Sequence, residues 1–468
     1  MSKLFLPELM LANGGVHRGA GLRVDDNGNV AEVLDAASIA ARTDRTDVEV
    51  VRLAGKALLP GLANAHSHTF QRLFRGRAEG RKVGGDTFWT WREQMYRAAA
   101  FVTPESLYDV ARATFLEMVA SGITVVGEFH YLHNDALGKP FANPNELALQ
   151  VMRAAESVGI RICLLRSAYM RAGYRKDPHA GQRRFYETRE KSVANAEALQ
   201  KAAGRFKNAT VGLAPHSIRA VPLDAMKELA AVAGKHGMPL HIHVSEQIAE
   251  NEACLAEYGE TPIELFNEHG LLTRRTTLIH AIHLTGPEMD EVSAAGATIC
   301  SCPTTERNLG DGIFPADVAA RLGISVAFGT DSQAQIDILE DARQSEYHLR
   351  LIAQQRGMLD QIGGVEIGTR LLHCATASGY KALGVDGGDL KPGQPADFFT
   401  LDLSDMALLG MDETSLASQA VFAGSRAAVR DVAVAGRLVL ADSHHAQEEE
   451  IRARYKEVQQ AFLNEEAQ

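Results

Sequence analysis

The chain has 468 residues, of which 46% are hydrophobic and 23% are charged, a composition typical of folded globular proteins. Its formal net charge of −11 argues against nucleic acid as a partner, because proteins that bind phosphate backbones normally carry a basic face. One compact core rarely serves so long a chain, so we expect a large domain and a smaller one.

The chain carries no pattern typical of membrane insertion or export. Its opening, MSKLFLPELMLANGG, interrupts a short apolar run with Pro and Glu and offers no cleavage site of small residues. No uncharged stretch is long enough to span a bilayer. The five cysteines are odd in number and widely scattered, which does not indicate a disulfide framework. We therefore expect a cytoplasmic protein without a membrane partner.

The first predicted elements are short strands, and the last part of the chain resembles them. GGVHRGAGLRVDDNGNVAEVLD alternates apolar and polar residues around an Asn-Gly turn. DLKPGQPADFFTLDL and AVFAGSRAAVRDVAVAGRLVLAD follow the same pattern near the other end. Neither end is long enough to form a core alone. We predict that residues 1–57 and 386–468 pair into one small β-sandwich domain, with a charged helix at the very end.

Residues 58–385 show a different, repeating pattern that predicts a barrel. Short apolar runs, among them GITVVGEFH, RICLLRSAYM, PLHIHVSE and ISVAFGTDS, each precede a stretch with helical periodicity. Repeated βα units predict a parallel sheet, and this many of them favour an α/β fold of the (β/α)8 TIM-barrel type.

Histidines, acids and arginines collect at the ends of these runs, where barrel enzymes assemble their active sites. The residues at these positions are His66, His68, Tyr131, His133, His216, Arg219, His243, Glu246, His280 and Asp331. A single polar residue at a strand end is usually a loop residue. Polar residues at the end of most strands indicate an active site.

The pair His66 and His68 has the spacing of two side chains on one face of a strand. Two imidazoles aimed at a barrel axis can bind a metal ion, with a third nitrogen and a carboxylate completing the site. His243 and Asp331 can supply those groups. His241 is a rival ligand, but it lies deeper in its predicted strand, so we interpret it as a packed core residue.

Four ordered motifs, PGLANAHSH, HIHVSE, LIHAIH and FGTDS, resemble those of the amidohydrolase superfamily. The resemblance implies the barrel, the split β domain and a homodimer. It points to the deaminase branch with one metal ion, because RICLLRSAYM lacks the lysine that bridges two metals in other branches. In that branch the ligands of one divalent ion, most often Zn²⁺, correspond to His66, His68, His243 and Asp331.

Two further stretches, DTFWTWREQMYRAA and APHSIRAV, are similar to family members that deiminate N-formimino-L-glutamate. Purine and nucleoside relatives tend to have APHSPYT, so Ile218 and Arg219 replace Pro and Tyr here. The resemblance implies zinc-dependent hydrolysis of N-formimino-L-glutamate to N-formyl-L-glutamate and ammonia, in histidine degradation.

Catalytic roles follow from this resemblance. Asp331 can accept the proton of the attacking water, and His280 can orient the hydroxide and steady the tetrahedral intermediate. Glu246 can carry a proton to the departing nitrogen.

The substrate is a small dianion, so residues that recognise carboxylates are needed. Arginine binds a carboxylate through two parallel hydrogen bonds. We assign Arg219 and Arg92 to the two carboxylates. The expected neutral partners of the substrate are His216, Tyr131 and Gln71. The nearby Arg72, Arg75 and Arg77 lack a strand-end position, so we do not expect them to point inward.

Two alternatives remain at this stage. One is a purine, pterin or S-adenosylhomocysteine-type aminohydrolase on the same scaffold. The other is a barrel protein without catalysis, which would be expected to have lost metal ligands.

Overall fold

The structure is a computed structural model that describes residues 2–40, 48–80 and 87–466. The described residues form sixteen strands: β1 (Ser2–Ala12), β2 (Gly15–Arg18), β3 (Gly21–Val24), β4 (Val30–Leu34), β5 (Val48–Pro60), β6 (Leu62–Ser67), β7 (Ile123–His130), β8 (Arg161–Ala168), β9 (Ala209–Pro215), β10 (Leu240–Val244), β11 (Thr276–His280), β12 (Thr298–Ser301), β13 (Ser325–Phe328), β14 (Phe398–Asp402), β15 (Val429–Val434) and β16 (Arg437–Leu440).

The helices of the described residues alternate with the central strands. They are α1 (Ala36–Ala40), α2 (Thr87–Phe101), α3 (Pro104–Val119), α4 (Glu146–Val158), α5 (Arg189–Ala203), α6 (Leu223–His236), α7 (Ile248–Tyr258), α8 (Pro262–Glu268), α9 (Gly286–Ala295), α10 (Pro303–Leu309), α11 (Ala316–Arg321), α12 (Ile338–Ala353), α13 (Ile367–Ala375), α14 (Ala377–Ala382), α15 (Leu416–Phe422) and α16 (Glu448–Glu466). Short 3₁₀ helices occupy Thr69–Phe74, Ala180–Gln182, Ile362–Gly364 and Arg426–Ala428. Among the described helices, none combines the length and the apolar character needed to cross a bilayer.

Strands β6 to β13 form the predicted barrel. They pair in chain order as eight parallel strands. Every residue of β6, β7, β10, β11 and β12 is buried, as expected for strands covered on both faces. The prediction of a (β/α)8 fold is confirmed.

The barrel closes where the first strand, β6, meets the segment after the last, β13. Ser67 and Asp331 form a parallel bridge. The His68 amide donates to the Asp331 carbonyl at 3.1 Å, and the Asp331 amide donates to the His66 carbonyl at 3.0 Å. We call these backbone contacts the closing seam.

Two side chains beside the closing seam add hydrogen bonds between the same two segments. The Thr330 amide donates to Asn64 Oδ1 at 3.0 Å, and Asn64 Nδ2 donates to Thr330 Oγ1 at 2.7 Å. Both residues are fully buried. Gly329 lies so close to β6 that a Cβ there would be 2.7 Å from the Cβ of His66.

The two ends of the chain form a second, mixed sheet. Its strand order is β16-β15-β14-β5-β1-β3-β4, with β2 paired to β1. Strand β5 joins the ends, because it runs parallel to β1 on one side and antiparallel to β14 on the other. The predicted β domain from both chain ends is confirmed. The boundaries at 57/58 and 385/386 stay a prediction.

The closing seam predicts that Gly329→Ala damages the site and the fold together. The added methyl group meets the His66 backbone nitrogen and oxygen at 2.9 Å, and such overpacking costs about 1–3 kcal/mol. We expect a lower Tm and a lower metal content, measured by calorimetry and elemental analysis. Gly234→Ala in α6 is the matched control, because its methyl group meets nothing within 4 Å. Equal behaviour of the two variants would contradict the prediction.

Candidate metal centre and active site

Three imidazoles converge at the carboxyl end of the barrel. His66 lies in β6, His68 follows it, and His243 lies in β10. The ligand nitrogens of the three rings lie within 4.8 Å of one another. The Nε2 atoms of His66 and His243 are 3.1 Å apart. All three side chains are buried.

Asp331 places its carboxylate against this group from across the closing seam. Its Oδ1 lies 3.4 Å from Nε2 of His66 and 3.3 Å from Nε2 of His68. The Asp331 backbone has a φ of 46°, a left-handed conformation that non-glycine residues rarely adopt. Strain of this kind is kept where the surroundings hold the backbone, and it clusters at functional sites.

In two of the rings, Nδ1 donates a hydrogen bond to a backbone carbonyl, which suits binding of a metal ion by Nε2. His68 Nδ1 donates to the Phe129 carbonyl at 2.8 Å, and His243 Nδ1 donates to the His216 carbonyl at 3.1 Å. Each Nε2 therefore keeps its lone pair. Ligand atoms of a tetrahedral zinc site lie about 3.3 Å apart, since Zn–N bonds measure about 2.0–2.1 Å. The spacing of these four side chains fits one such ion.

The charges of the four residues also suit a cation. Burial lowers the pKa of His66 to about 3, so its imidazole is neutral. Burial alone would raise the pKa of Asp331, but the hydrogen bond to His66 and the positive charge of His280 hold it well below the ordinary value. Neutral imidazoles and an ionised carboxylate are the forms that bind metal.

His241, the rival ligand, takes no part in the group. Its Nε2 donates to the Ala382 carbonyl at 2.8 Å, and the residue is fully buried in the barrel wall. This agrees with its interpretation as a packed core residue.

The predicted proton-transfer residues lie beside the four side chains. Nε2 of His280 is 3.7 Å from Oε1 of Glu246 and 3.8 Å from Oδ2 of Asp331. Burial lowers the pKa of His280, but the surrounding carboxylates of Glu246, Glu306 and Asp331 outweigh it and raise the pKa well above 6.5. Burial raises the pKa of Glu246. His280 and Glu246 face each other within 3.7 Å, beside the four converging side chains.

A pocket opens above these residues, and all five predicted substrate-binding residues line it. Its lining comprises His68, Gln71, Trp91, Arg92, Met95, Tyr96, Tyr131, Tyr169, Phe185, His216, Arg219, His243, Glu246, His280, Leu309 and Asp331. Of the motif at 86–99, position 86 and the side chains at 87–90 lie outside the described residues.

Gln71 and Tyr131 form a neutral pair in the pocket wall. Gln71 Nε2 donates to the Tyr131 hydroxyl at 2.8 Å, which leaves the hydroxyl proton available to an acceptor. Burial raises the pKa of Tyr131 well above 10, so it stays protonated. Gln71 Oε1 is buried without a hydrogen-bond partner and can accept from a ligand N–H.

Arg219 presents a charged group to the pocket. Within the part of the chain that the structure describes, its guanidinium makes no hydrogen bond, and no carboxylate lies within 4.0 Å of it. The nearby Glu250 is buried, and burial outweighs the attraction of Arg219 and raises the pKa of Glu250 to about 7. A pKa of about 7 leaves Glu250 only partly ionised in neutral solution, so it offsets the positive charge of Arg219 only in part.

Arg92 and His216 complete the predicted set. Arg92 Nε donates to the Tyr96 hydroxyl at 2.8 Å, and Gln182 Nε2 donates to the hydroxyls of Tyr96 and Tyr169 at 3.3 and 2.9 Å. This network ties α2 to the loop after β8. Burial and the nearby Arg219 lower the pKa of His216 well below 6.5, so it is neutral.

Arg72 and Arg75 point away from the pocket. Both pair with Glu117 of α3, at 2.7 and 2.9 Å. These contacts agree with the expectation that the two arginines do not point inward, which was based on their positions away from a strand end. His133 is also outside the pocket lining, since its Nε2 donates to the Ser167 carbonyl at 2.8 Å.

The sequence interpretation missed Glu250, Glu306 and the Tyr96–Gln182–Tyr169 network. Glu250 follows Glu246 by four residues, and this spacing at a helix start was a usable signal. Glu306 lies within CSCPTTE, a pattern that does not indicate a contact with His280. Gln182 lies in a long loop and carried no signal.

Comparison with known proteins gives consistent results. Residues 57–439 match the model of the Amidohydrolase family. Formimidoylglutamate deiminase of Pseudomonas aeruginosa is 38% identical over 96% of this chain and 97% of its own. The 8-oxoguanine deaminase of the same organism is 29% identical over 86% of each chain.

Solved structures share the fold. The crystal structure of an amidohydrolase from Brucella melitensis has a TM-score of 0.90 at 34% identity and covers 98% of this chain and 100% of its own. An adenosine deaminase from Xanthomonas campestris with bound zinc has a TM-score of 0.83 at 22% identity, covering 99% and 98%. At that identity the second likeness concerns the fold alone.

The convergence of the four side chains predicts one divalent ion per chain. His68→Ala removes one nitrogen and is expected to lose most of the metal, measured by elemental analysis after dialysis. His241→Ala, two residues before His243 on β10, is the matched control and is expected to keep one ion. Loss of metal from the control alone would reverse the assignment.

Glu250 predicts a pH-dependent effect on stability. Its pKa of about 7 exceeds the ordinary 4.5, so between these values the folded chain holds a proton that the unfolded chain releases. The free energy of unfolding therefore falls as pH rises through this window. Glu250→Gln lacks this loss and should gain stability over the parent by about 3 kcal/mol at pH 8, and much less at pH 5.

The measurement is denaturant unfolding at both pH values. Glu252→Gln is the matched control, because Glu252 is exposed on the same helix. A gain for Glu250→Gln that is equal at both pH values, or equal to that of the control, would count against the prediction.

Proposed function

Because the chain belongs to the amidohydrolase family, whose members hydrolyse bonds such as the C–N bond of an amidine, we propose that it deiminates N-formimino-L-glutamate. The products are N-formyl-L-glutamate and ammonia, and the reaction belongs to histidine degradation. The 38% identity to a formimidoylglutamate deiminase over nearly the whole chain supports this choice.

The observation that carries the proposal is the environment of Arg219. A guanidinium lines a pocket beside four metal-binding side chains, and no described carboxylate pairs with it. A purine offers no carboxylate for such a group, whereas N-formimino-L-glutamate carries two. A partly buried cation gains stability from an anion beside it, so a substrate carboxylate stabilises the pocket as it binds.

The second carboxylate is assigned to Arg92, on α2 at the pocket wall. Arg92 Nε donates to the Tyr96 hydroxyl at 2.8 Å, which fixes the guanidinium at the pocket wall. A guanidinium is the side-chain group best suited to a carboxylate. Tyr131 and His216 are neutral and can donate hydrogen bonds to the carboxylates. Gln71 Oε1 is the acceptor that we assign to the substrate N–H.

His66, His68, His243 and Asp331 hold the metal in this proposal, and the metal is zinc. When bound, zinc supplies the Lewis acidity that lowers the pKa of a water molecule from 15.7 to about 7. Histidine nitrogens and a carboxylate oxygen suit zinc, as the spacing of the four side chains does.

The proton steps are assigned to three side chains. Asp331 accepts the proton of the attacking water. His280 orients the nucleophile and stabilises the tetrahedral intermediate from the side of Asp331 Oδ2, 3.8 Å away. Glu246 passes a proton to the departing nitrogen, for which its raised pKa suits it. Ammonia leaves, and the N-formyl product remains.

The rival substrate is a purine or a related heterocycle. Aromatic side chains in the pocket wall, among them Tyr169 and Phe185, offer a ring surface that favours it. Arg219 argues against it. The predicted homodimer and cytoplasmic location are retained as predictions.

The test is ammonia release from N-formimino-L-glutamate, N-formimino-L-aspartate, guanine, 8-oxoguanine and 5′-methylthioadenosine. The proposal requires turnover of the first compound at a kcat/KM well above that of the heterocycles. Turnover of a purine, with none of formiminoglutamate, would overturn it.

Arg219→Met is expected to lower kcat/KM for formiminoglutamate by about 30- to 3,000-fold, because a lost carboxylate pair costs about 2–5 kcal/mol. Metal content should remain that of the parent, since Arg219 contacts no predicted ligand. Arg183→Met, in an exposed part of the loop after β8, is the control and should keep full activity. Unchanged kinetics for Arg219→Met would remove Arg219 from substrate recognition.

A further inference from the structure

Glu306 lies in the first turn of α10, directly behind His280 as seen from the pocket. It is 2% exposed and is absent from the pocket lining. It therefore cannot contact a substrate in this arrangement. A buried acid needs compensating hydrogen bonds or charges, so its partners indicate what it does.

Three donors surround the Glu306 carboxylate. Oε1 accepts from the Cys302 amide at 2.7 Å and from His280 Nδ1 at 3.2 Å. Oε2 accepts from the Ser301 hydroxyl at 3.0 Å. The backbone contact fixes the carboxylate relative to β12, because the Cys302 amide follows that strand directly.

These contacts determine which nitrogen of His280 carries a proton. The Cys302 amide N–H can only donate to Glu306 Oε1, so this oxygen acts as an acceptor and Nδ1 of His280 is the donor to it. Nε2 then faces the opposite side, toward Asp331 and Glu246 at 3.8 and 3.7 Å. Glu306 thus orients the His280 ring through Nδ1, and Nε2 points to the reacting centre.

The backbone at His280 supports the need for such a restraint. His280 and Ala281 have φ values of 69° and 50°, both left-handed. A strained backbone persists only when surrounding contacts hold it. The ring of His280 projects from this strained turn, and Glu306 is the described side chain that bonds its Nδ1.

We propose that Glu306 is a positioning residue, which accepts the Nδ1–H of His280 and so keeps Nε2 directed at the reacting atoms. The inference rests on the proposed hydrolysis at this site. It goes beyond it in assigning a role to a side chain that touches neither substrate nor metal ligand. Partners of this kind typically change activity by about 10–100-fold when removed.

Two substitutions of Glu306 distinguish a role in positioning His280 from a role in stabilising the fold. Glu306→Gln keeps an oxygen for the Cys302 amide, and that oxygen still accepts from His280 Nδ1. Glu306→Ala removes every acceptor. The proposal therefore requires that Gln rescues what Ala loses.

The kinetic test uses the zinc-loaded full chain and ammonia release. Glu306→Ala should lower kcat by about 10- to 100-fold with KM changed less than about threefold, and Glu306→Gln should retain kcat within about fivefold. A wild-type kcat for Glu306→Ala would overturn the proposal, and so would an equal loss in both variants.

The tautomer itself is measured independently of any substrate. Long-range ¹H–¹⁵N correlation of the zinc-loaded protein, labelled with ¹⁵N-histidine, distinguishes Nδ1–H from Nε2–H, and the His280 signal is identified by its absence in His280→Asn. We expect a protonated Nδ1 in the parent and in Glu306→Gln, and a lower occupancy of the Nδ1 proton in Glu306→Ala.

An Nδ1 without a proton in the parent would overturn the proposal even if Glu306→Ala did not fold. If formiminoglutamate were not hydrolysed, the proposed function would fail. The tautomer measurement would still decide the role of Glu306.

Discussion

The structure depends on how the barrel closes. Backbone hydrogen bonds between β6 and the segment after β13 join the first and last strands, and the same few residues carry His66, His68 and Asp331. Closure and assembly of the metal-binding group are therefore one event. A side chain at position 329 would push the segment after β13 away from β6, so this close contact requires glycine.

Around this group, burial decides which groups are charged. Deep burial keeps the imidazoles neutral, while contacts with three histidines keep Asp331 ionised. At the pocket wall, burial moves the pKa of Glu250 to about 7 and so weakens its opposition to the charge of Arg219. In the proposed function, the same site combines a centre for a cation with a pocket for an anion.

Much of this arrangement was predictable because it follows from simple periodicities. The HxH spacing places His66 and His68 on one strand face, and repeated βα units predict a barrel whose strand ends meet. The positions of Arg219 and Tyr131 at such ends brought them into the pocket. Glu306 and Gln182 were not predictable, since their partners lie on other elements and only folding brings them together. The charge states of the site residues were not predictable either, because they depend on burial in the folded chain.

The closing seam has a consequence for the order of events during synthesis. Asn64 and Thr330 are separated by 266 positions, so His66 and His68 leave the ribosome long before Asp331 is made. Contacts between such distant segments form late in folding. A truncated or stalled chain that ends before β13 has two histidines but no closed ring around them. In the proposed site, therefore, only a finished barrel brings all four ligands together.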